Sequence, residues 1–325
     1  MPLTIPDFLV ILHNGSGANV GRQALAREAR RGGLVRIKRG AYAATPIWNS
    51  LTPQSQHLAR IHAFSASHPG VVFSHESAAL LHDLPLVGPI PREVQVVAQR
   101  ASGGRSEPGL HRRSVGIADA EVDIMLAGSG DGSFVTITAT SVSRTVADLA
   151  LSQPFRFAVA PLDRALRLGS TTKAQLLDSL DSRESRRGIA RATRLVEFGD
   201  PLSMNPGESL SRAVIHELGF PAPLLQVRHR TPAGKSFYTD LEWPDYKLIG
   251  EFDGRGKYLK EEYLDGLTPG EAVYQEKRRE DFLRGEGSTV IRWEWNDAWA
   301  RHPLGALLRE AGLPVVRPPL RIARR

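Results

Sequence analysis

Cysteine is absent from the 325 residues, which excludes disulfides, thiolate metal centres and cysteine nucleophiles. Long apolar runs are missing as well. The N-terminus has no basic region, its short apolar run Phe8–Leu12 follows Asp7, and no stretch approaches the ~18 residues of a membrane span. These absences lead us to expect a soluble, cytoplasmic protein with no membrane contact. What the chain does have is length, enough for two or three domains that each bury a core.

Acidic charge is scarce at one end. Residues 1–60 hold eight Lys/Arg against Asp7 and Glu28, a net of +6, whereas residues 201–300 hold 13 Lys/Arg against 17 Asp/Glu, a net of −4. The basic end reads as a polyanion-binding element and the acidic end as a site that needs a cation.

Residues 1–50 read as a small helical module that closes in a β-ribbon. The patterning predicts one helix over Ile5–His13 and a second over Val20–Arg31, capped by Asn19 and ended by Gly32-Gly33. Leu34–Tyr42 then alternates apolar with basic residues. This is the layout of a winged helix, with Arg22, Arg27, Arg30 and Arg31 on the helix and Arg36, Lys38 and Arg39 on the wing to meet the phosphates of double-stranded DNA. The plain alternative is a solvated basic face, although these charges have almost no acidic partners nearby.

Residues 51–200 read as an α+β domain, with helices over His57–Ser67, Glu76–His82, Ser143–Leu151 and Phe157–Arg167 and strands over Gly70–Ser74, Glu93–Ala98 and Phe134–Thr138. Five histidines from His57 to His82 are spaced five, six, seven and seven apart, which gives no i,i+4 metal pair, so they read as structural or surface groups. The Gly-rich, basic Arg100–Arg113 reads as a mobile loop. Residues 201–313 read as a compact α/β domain and residues 314–325 as an extended basic, Pro-rich tail.

Chemistry concentrates in Phe237–Tyr258, FYTDLEWPDYKLIGEFDGRGKY. Phe237–Trp243 and Leu248–Phe252 have strand composition and Pro244-Asp245 between them signals a turn. A four-residue loop pairs Trp243 with Leu248 and sets Asp240 opposite Glu251, with Asp253 on the face of Glu251. Carboxylates so close repel one another, and a divalent cation removes that conflict. Mg²⁺, or Mn²⁺ in its place, suits such oxygen ligands, and a bound water then becomes the nucleophile toward a phosphodiester. The plain alternative is a solvated polar hairpin face. Upstream, Asn205-Pro206-Gly207-Glu208 opens a helix, where Glu208 completes a capping box and is also available as a site residue. Glu271–Arg284 follows as a charged helix and Ser288–Trp293 as a strand.

The order Glu208, Asp240, Glu251-Phe252-Asp253-Gly254, Lys257-Tyr258 and Glu276–Asp281 resembles the PD-(D/E)xK restriction-endonuclease-like superfamily, in the branch related to very-short-patch repair endonucleases. The resemblance covers the last third. It implies a restriction-endonuclease-like fold with a mixed sheet, a Mg²⁺-dependent endonuclease, Glu208 as the helix acid, Asp240 as the strand Asp and Glu251 as the acid of the last motif. Asp253 stands where the superfamily has Lys. Three alternatives follow: a lysine reaches in from elsewhere, Lys257 or Lys277 being candidates; Asp253 adds a metal ligand beside Asp240 and Glu251; or the site is weakened. The first two thirds resemble AbiEi-type antitoxins of type IV toxin-antitoxin systems through Gly32–Tyr42, Ser74–Leu81 and Thr140–Ala150. That resemblance implies a winged-helix DNA binder with a companion domain and a toxin or other protein partner. Two functions remain open on the sequence: a metal-dependent DNA endonuclease, or a non-catalytic DNA-binding antitoxin or transcriptional regulator with a degenerate nuclease domain.

Overall fold

The computed structural model describes residues 3–4, 9–11, 18–98, 107–113, 116–128, 134–231, 234, 236–254 and 269–319. The α/β organisation holds, with twelve helices and three sheets among the described residues. Two compact units divide the chain, Met1–Gln153 with Gly169–Phe198 and Pro154–Leu168 with Gly199–Arg325.

The first unit begins with β1 (Leu3–Thr4), β2 (Leu9–Ile11), α1 (Ala18–Arg31), β3 (Leu34–Lys38), β4 (Ala41–Ala44), α2 (Thr45–Ser50) and α3 (Pro53–Ser65). β2, β4 and β3 form an antiparallel sheet in that order. Gly40, at φ +86°, supplies the left-handed turn between β3 and β4. Part of the helix expected over Ile5–His13 is instead strand: Leu9, Val10 and Ile11 pair with Ala43, Tyr42 and Ala41. β-branched Val10 and Ile11 favour that choice, and the partner strand supplies hydrogen bonds that a short helix would have to make alone. Residues 5–8 and 12–13 of that expectation lie outside the described residues.

The unit continues through β5 (Val72–Phe73), α4 (His75–Leu81), β6 (Val94–Val97), β7 (Leu110–Arg113), β8 (Val122–Gly128), β9 (Phe134–Thr140) and α5 (Val142–Ser152). After α6 (Phe155–Arg167), which belongs to the second unit, it closes with α7 (Lys173–Asp181) and α8 (Ile189–Phe198). A six-stranded sheet runs β1-β8-β9-β5-β6-β7. Its core gathers Ile61 and Phe64 from α3 with Phe73, Val94, Val96, Leu110 and Ile137 from the strands. Leu110–Arg113, expected as loop, pairs in parallel with Val94–Val97 because Leu110 has a core to enter. Residues 100–106 of that loop lie outside the described residues.

The second unit contains α6, α9 (Pro206–Leu218), β10 (Leu224–Arg230), β11 (Ser236–Trp243), β12 (Leu248–Phe252), α10 (Pro269–Gly285), β13 (Thr289–Trp293), α11 (Trp295–Ala300) and α12 (His302–Glu310). Its sheet runs β10-β11-β12-β13, antiparallel up to β12 and parallel between β12 and β13, with α10 as the crossover. Asn205 caps α9 by accepting from the Gly207 and Glu208 amides, as expected, and Gly219 ends it at φ +84°. α9 lies tight on the sheet, where a Cβ on Gly207 would fall 2.1 Å from the Phe252 ring. Trp293 fixes the same contact by donating from Nε1 to Ser211 Oγ at 2.8 Å. α6 joins α9 through buried Asp163, which accepts from Ser209 Oγ (2.8 Å) and Arg212 Nη1 (2.7 Å). Of the tail expected to be extended, residues 314–319 are neither helix nor strand, and the Val316 amide donates to the Gly219 carbonyl at 2.9 Å.

Candidate functional site

The hairpin takes the register expected from its loop: Trp243 pairs with Leu248, Glu242 with Ile249 and Leu241 with Gly250. One step further, the ladder gives way to a side-chain bond. The Phe252 amide donates to Asp240 Oδ2 at 3.0 Å, which holds the Asp240 carboxylate across the hairpin beside Glu251. Glu251 itself is buried at 5% exposure on a strand with no exposed residue. Burial pushes its pKa up to about 7; neighbouring Arg279 pulls it down, the charge of Asp240 pushes it up again, and Arg292 pulls it down. Of the carboxylates singled out in the sequence, Asp240 therefore acts on Glu251.

The remaining acidic candidates are placed differently. Asp253, half-buried just past β12, continues the parallel pairing with its amide donating to the Trp293 carbonyl at 2.8 Å. Glu208 is engaged at the start of α9, where its carboxylate accepts from the Met204 amide (2.7 Å), Asn205 Nδ2 and Gln226 Nε2 (3.4 Å). The carboxylate thus braces the cap through the Met204 amide and the Asn205 side chain rather than through the Asn205 amide that the expected capping box would use. Among the described residues, no three His, Cys, Asp or Glu side chains are grouped closely enough to hold a metal ion. Mg²⁺ commonly uses only one or two carboxylates and completes its shell with water and substrate phosphates, so Asp240 and Glu251 are the two that would be offered to such an ion.

Of the basic candidates, Lys257 lies outside the described residues and Lys277 is exposed on α10. The group that meets Glu251 is Arg279, which donates from Nη2 to Oε1 and carries its guanidinium 5.3 Å over the Phe237 ring. Arg292, paired with Glu251 in the β12–β13 register, instead donates to Glu280. A sequence signal for Arg279 exists in hindsight. Phe282 and Leu283 stand three and four residues after it and are core residues of this unit, so Arg279 shares their face of the helix, whereas Lys277 shares the face of Glu280 and Asp281.

The N-terminal basic residues divide in two. Arg27, Arg30 and Arg31 on α1 and Arg36 and Arg39 at the β3–β4 turn are exposed, while the side chain of Arg22 lies outside the described residues. Lys38 turns inward, contrary to its expected place on a phosphate-facing wing. Its side chain is 7% exposed, with the ammonium bonded to Ser67 Oγ, 3.6 Å from Glu107 and 4.0 Å over the Phe64 ring. The pairing register slips between Arg36 and Lys38, and such a bulge breaks the alternation that would have kept both on one face.

No family model matches the chain. Two curated proteins, the uncharacterized protein Rv2248 of Mycobacterium tuberculosis strain H37Rv and the uncharacterized protein MT2308 of strain CDC 1551, are each 28% identical to it over 236 residues, 71% of this chain and 78% of theirs. Among solved structures, the Rv2827c protein of M. tuberculosis is similar over 58% of this chain and 67% of its own, at 17% identity and a TM-score of 0.34.

Proposed function

We propose that the protein is a metal-dependent DNA endonuclease, with the first unit binding double-stranded DNA and the second hydrolysing a phosphodiester bond. The observation that carries this reading is the Asp240–Glu251 pair: two carboxylates on adjacent strands, one of them buried, close enough that the charge of Asp240 disfavours that of Glu251. A protein core tolerates such repulsion only where something offsets it. The α9–β10–β11–β12–α10–β13 order, with the pair on the central strands, supports the restriction-endonuclease-like reading of this unit. A bound Mg²⁺ or Mn²⁺ would supply a Lewis acid and a lowered pKa for the attacking water. Asp240 and Glu251 would hold the ion, and the basic face of α1 and the β3–β4 turn, a winged helix in this reading, would hold the duplex.

A second reading rests on a specific contact. Arg279 already places a cation on Glu251, so a DNA-binding antitoxin or transcriptional regulator that has given up metal would look the same at this position. Nicking of supercoiled plasmid with Mg²⁺, with Mn²⁺ and with EDTA separates the two. The nuclease nicks in either metal and not in EDTA, and the regulator binds without nicking under all three conditions.

A further inference from the structure

One stretch of the second unit departs from the charge around it. Residues 201–300 carry a net of −4, yet between Glu217 and Asp240 the sequence holds no Asp or Glu and three cations, Arg228, Arg230 and Lys235. This stretch supplies the edge strand β10 and, with β11, the outer hairpin of the sheet. Arg228 stands opposite Tyr238 and Arg230 opposite Ser236. Directly paired residues project to the same side, so Arg228, Arg230 and Tyr238 share one face of the hairpin. That face is open: both arginines are exposed and Tyr238 is 52% exposed. Arg228 lies along it, donating from Nη2 to Ser236 Oγ at 2.9 Å, a neutral partner that leaves its charge in place. The other face is packed. There His229 stacks on Phe237, whose ring meets Phe282 of α10 edge-on at 6.0 Å. Tyr238 is two residues from Asp240, ~7 Å along the strand, so the hairpin borders the candidate site. Lys235 lies outside the described residues.

Resting on the nuclease reading for its substrate, we infer that the β10–β11 hairpin is a binding surface for unpaired DNA, with the Tyr238 ring stacked on a base and Arg228 and Arg230 on the neighbouring phosphates. The chemistry of the three side chains selects this ligand. Two arginines alone suit any polyanion, the outside of a duplex or an acidic peptide included. The exposed ring beside them adds a flat apolar surface, and every base has a π-face that such a ring can cover. In a duplex those faces are taken by the neighbouring base pairs, so the ring is used only where a base is unstacked. An acidic peptide would meet the arginines and leave the ring idle. Packing on the reverse face holds the hairpin in shape before the ligand arrives, which lowers the ordering cost of binding. The class of substrate is accordingly DNA with unpaired bases beside the bond to be cut.

The test measures binding of a labelled oligothymidylate strand and of a labelled blunt duplex to the full-length protein by fluorescence anisotropy in EDTA, with thermal melting of each variant. Tyr238→Ala should weaken strand binding by ~10-fold, the loss of one stacked base, and leave duplex affinity unchanged. Tyr238→Phe keeps the ring and should bind the strand like wild type. Arg228→Gln combined with Arg230→Gln should make the salt slope of strand binding shallower by two steps of about 0.7, the single-strand value per phosphate. Melting temperatures should stay near wild type because all three side chains are exposed; if Tyr238→Ala melts early, the arginine pair carries the comparison. Strand binding absent from wild type, or equal in wild type and Tyr238→Ala, overturns the inference, and so does an equal loss on strand and duplex, which marks a general polyanion surface. Plasmid nicking in Mg²⁺ keeps the two inferences apart. A wild type that nicks nothing but binds the strand through Tyr238 loses the nuclease reading and keeps the hairpin, whereas one that nicks while Tyr238→Ala binds the strand normally keeps the nuclease reading and loses the hairpin.

Discussion

Glu251 shows what one buried carboxylate does to the chemistry around it. Its pKa is raised from 4.5 to about 7, by burial first and by Asp240 among its neighbours. Asp240→Asn removes that charge, so Glu251 should titrate below about 7, a shift read from its side-chain carboxyl resonance by NMR. In the same variant Mg²⁺-dependent cleavage should disappear while duplex affinity stays near wild type, because the proposed function puts most phosphate contacts in the first unit. The linkage sign follows from the direction of the shift. Between pH 4.5 and 7 the unfolded chain releases a proton that folded Glu251 keeps, so this group's contribution to stability is full below pH 4.5 and falls as pH rises through about 7. Its size is on the order of 3 kcal/mol for a shift of this extent. The buried histidines of the first unit act in the opposite sense. His57 and His62 are held neutral by burial, with pKa lowered from 6.5 to about 4, so each destabilises the fold as pH falls from 6.5 toward 4. Urea melts in Glu251→Gln should therefore show a smaller decline of the second unit's stability between pH 4.5 and 7, with the part due to Asp163 and Glu217, whose pKa burial also raises, remaining, and leave the first unit's acid-side decline unchanged.

At the scale of elements, the hairpin was the most legible part of the sequence, because a four-residue loop between two strand-like runs leaves one sensible register. α9 was equally readable from Asn205, Pro206 and Gly219, each of which acts locally. What stayed hidden depends on distant partners. Leu9–Ile11 becomes strand only because β4 is there to pair with it. Leu224–Arg230 carried too weak an alternation to mark β10, and Arg279 looks like one charge among many until α10 is laid on β12. The same packing makes Gly250 a sensitive position in β12. A Cβ there would fall 2.4 Å from the Trp293 ring and 3.2 Å from the Trp243 ring, both buried, the first bonded to Ser211 of α9 and the second to the Pro221 carbonyl. Gly250→Ala should cost ~1–3 kcal/mol as an overpacked core does. Chemical denaturation with intrinsic tryptophan fluorescence measures it, and an unchanged midpoint would mean that the sheet yields there at little cost.

For the whole molecule, charge is spread unevenly along the chain. The chain carries +7, yet residues 1–60 alone account for +6, and among the described residues of that segment Arg27, Arg30, Arg31, Arg36 and Arg39 are exposed. Lys38 belongs to the same basic run but to a different job: its ammonium is desolvated, its pKa lowered by burial, and it ties β3 to Ser67 and Glu107. The difference yields a prediction that sequence charge counting would miss. Duplex affinity should fall with salt at a log–log slope of about −0.9 per phosphate neutralised. Replacing Arg36 and Arg39 together by Gln should make that slope shallower by about two such steps if each meets one phosphate. Lys38→Met should leave the slope as it is and lower the melting temperature of the first unit, since Glu107 loses a cationic partner and the Phe64 ring its ammonium contact. Fluorescence anisotropy of a labelled duplex between 50 and 300 mM salt (roughly the range over which counterion release dominates) reads the slopes. A slope that moves with Lys38 and not with the two arginines would turn the DNA-binding face around to the side where β3 meets α3.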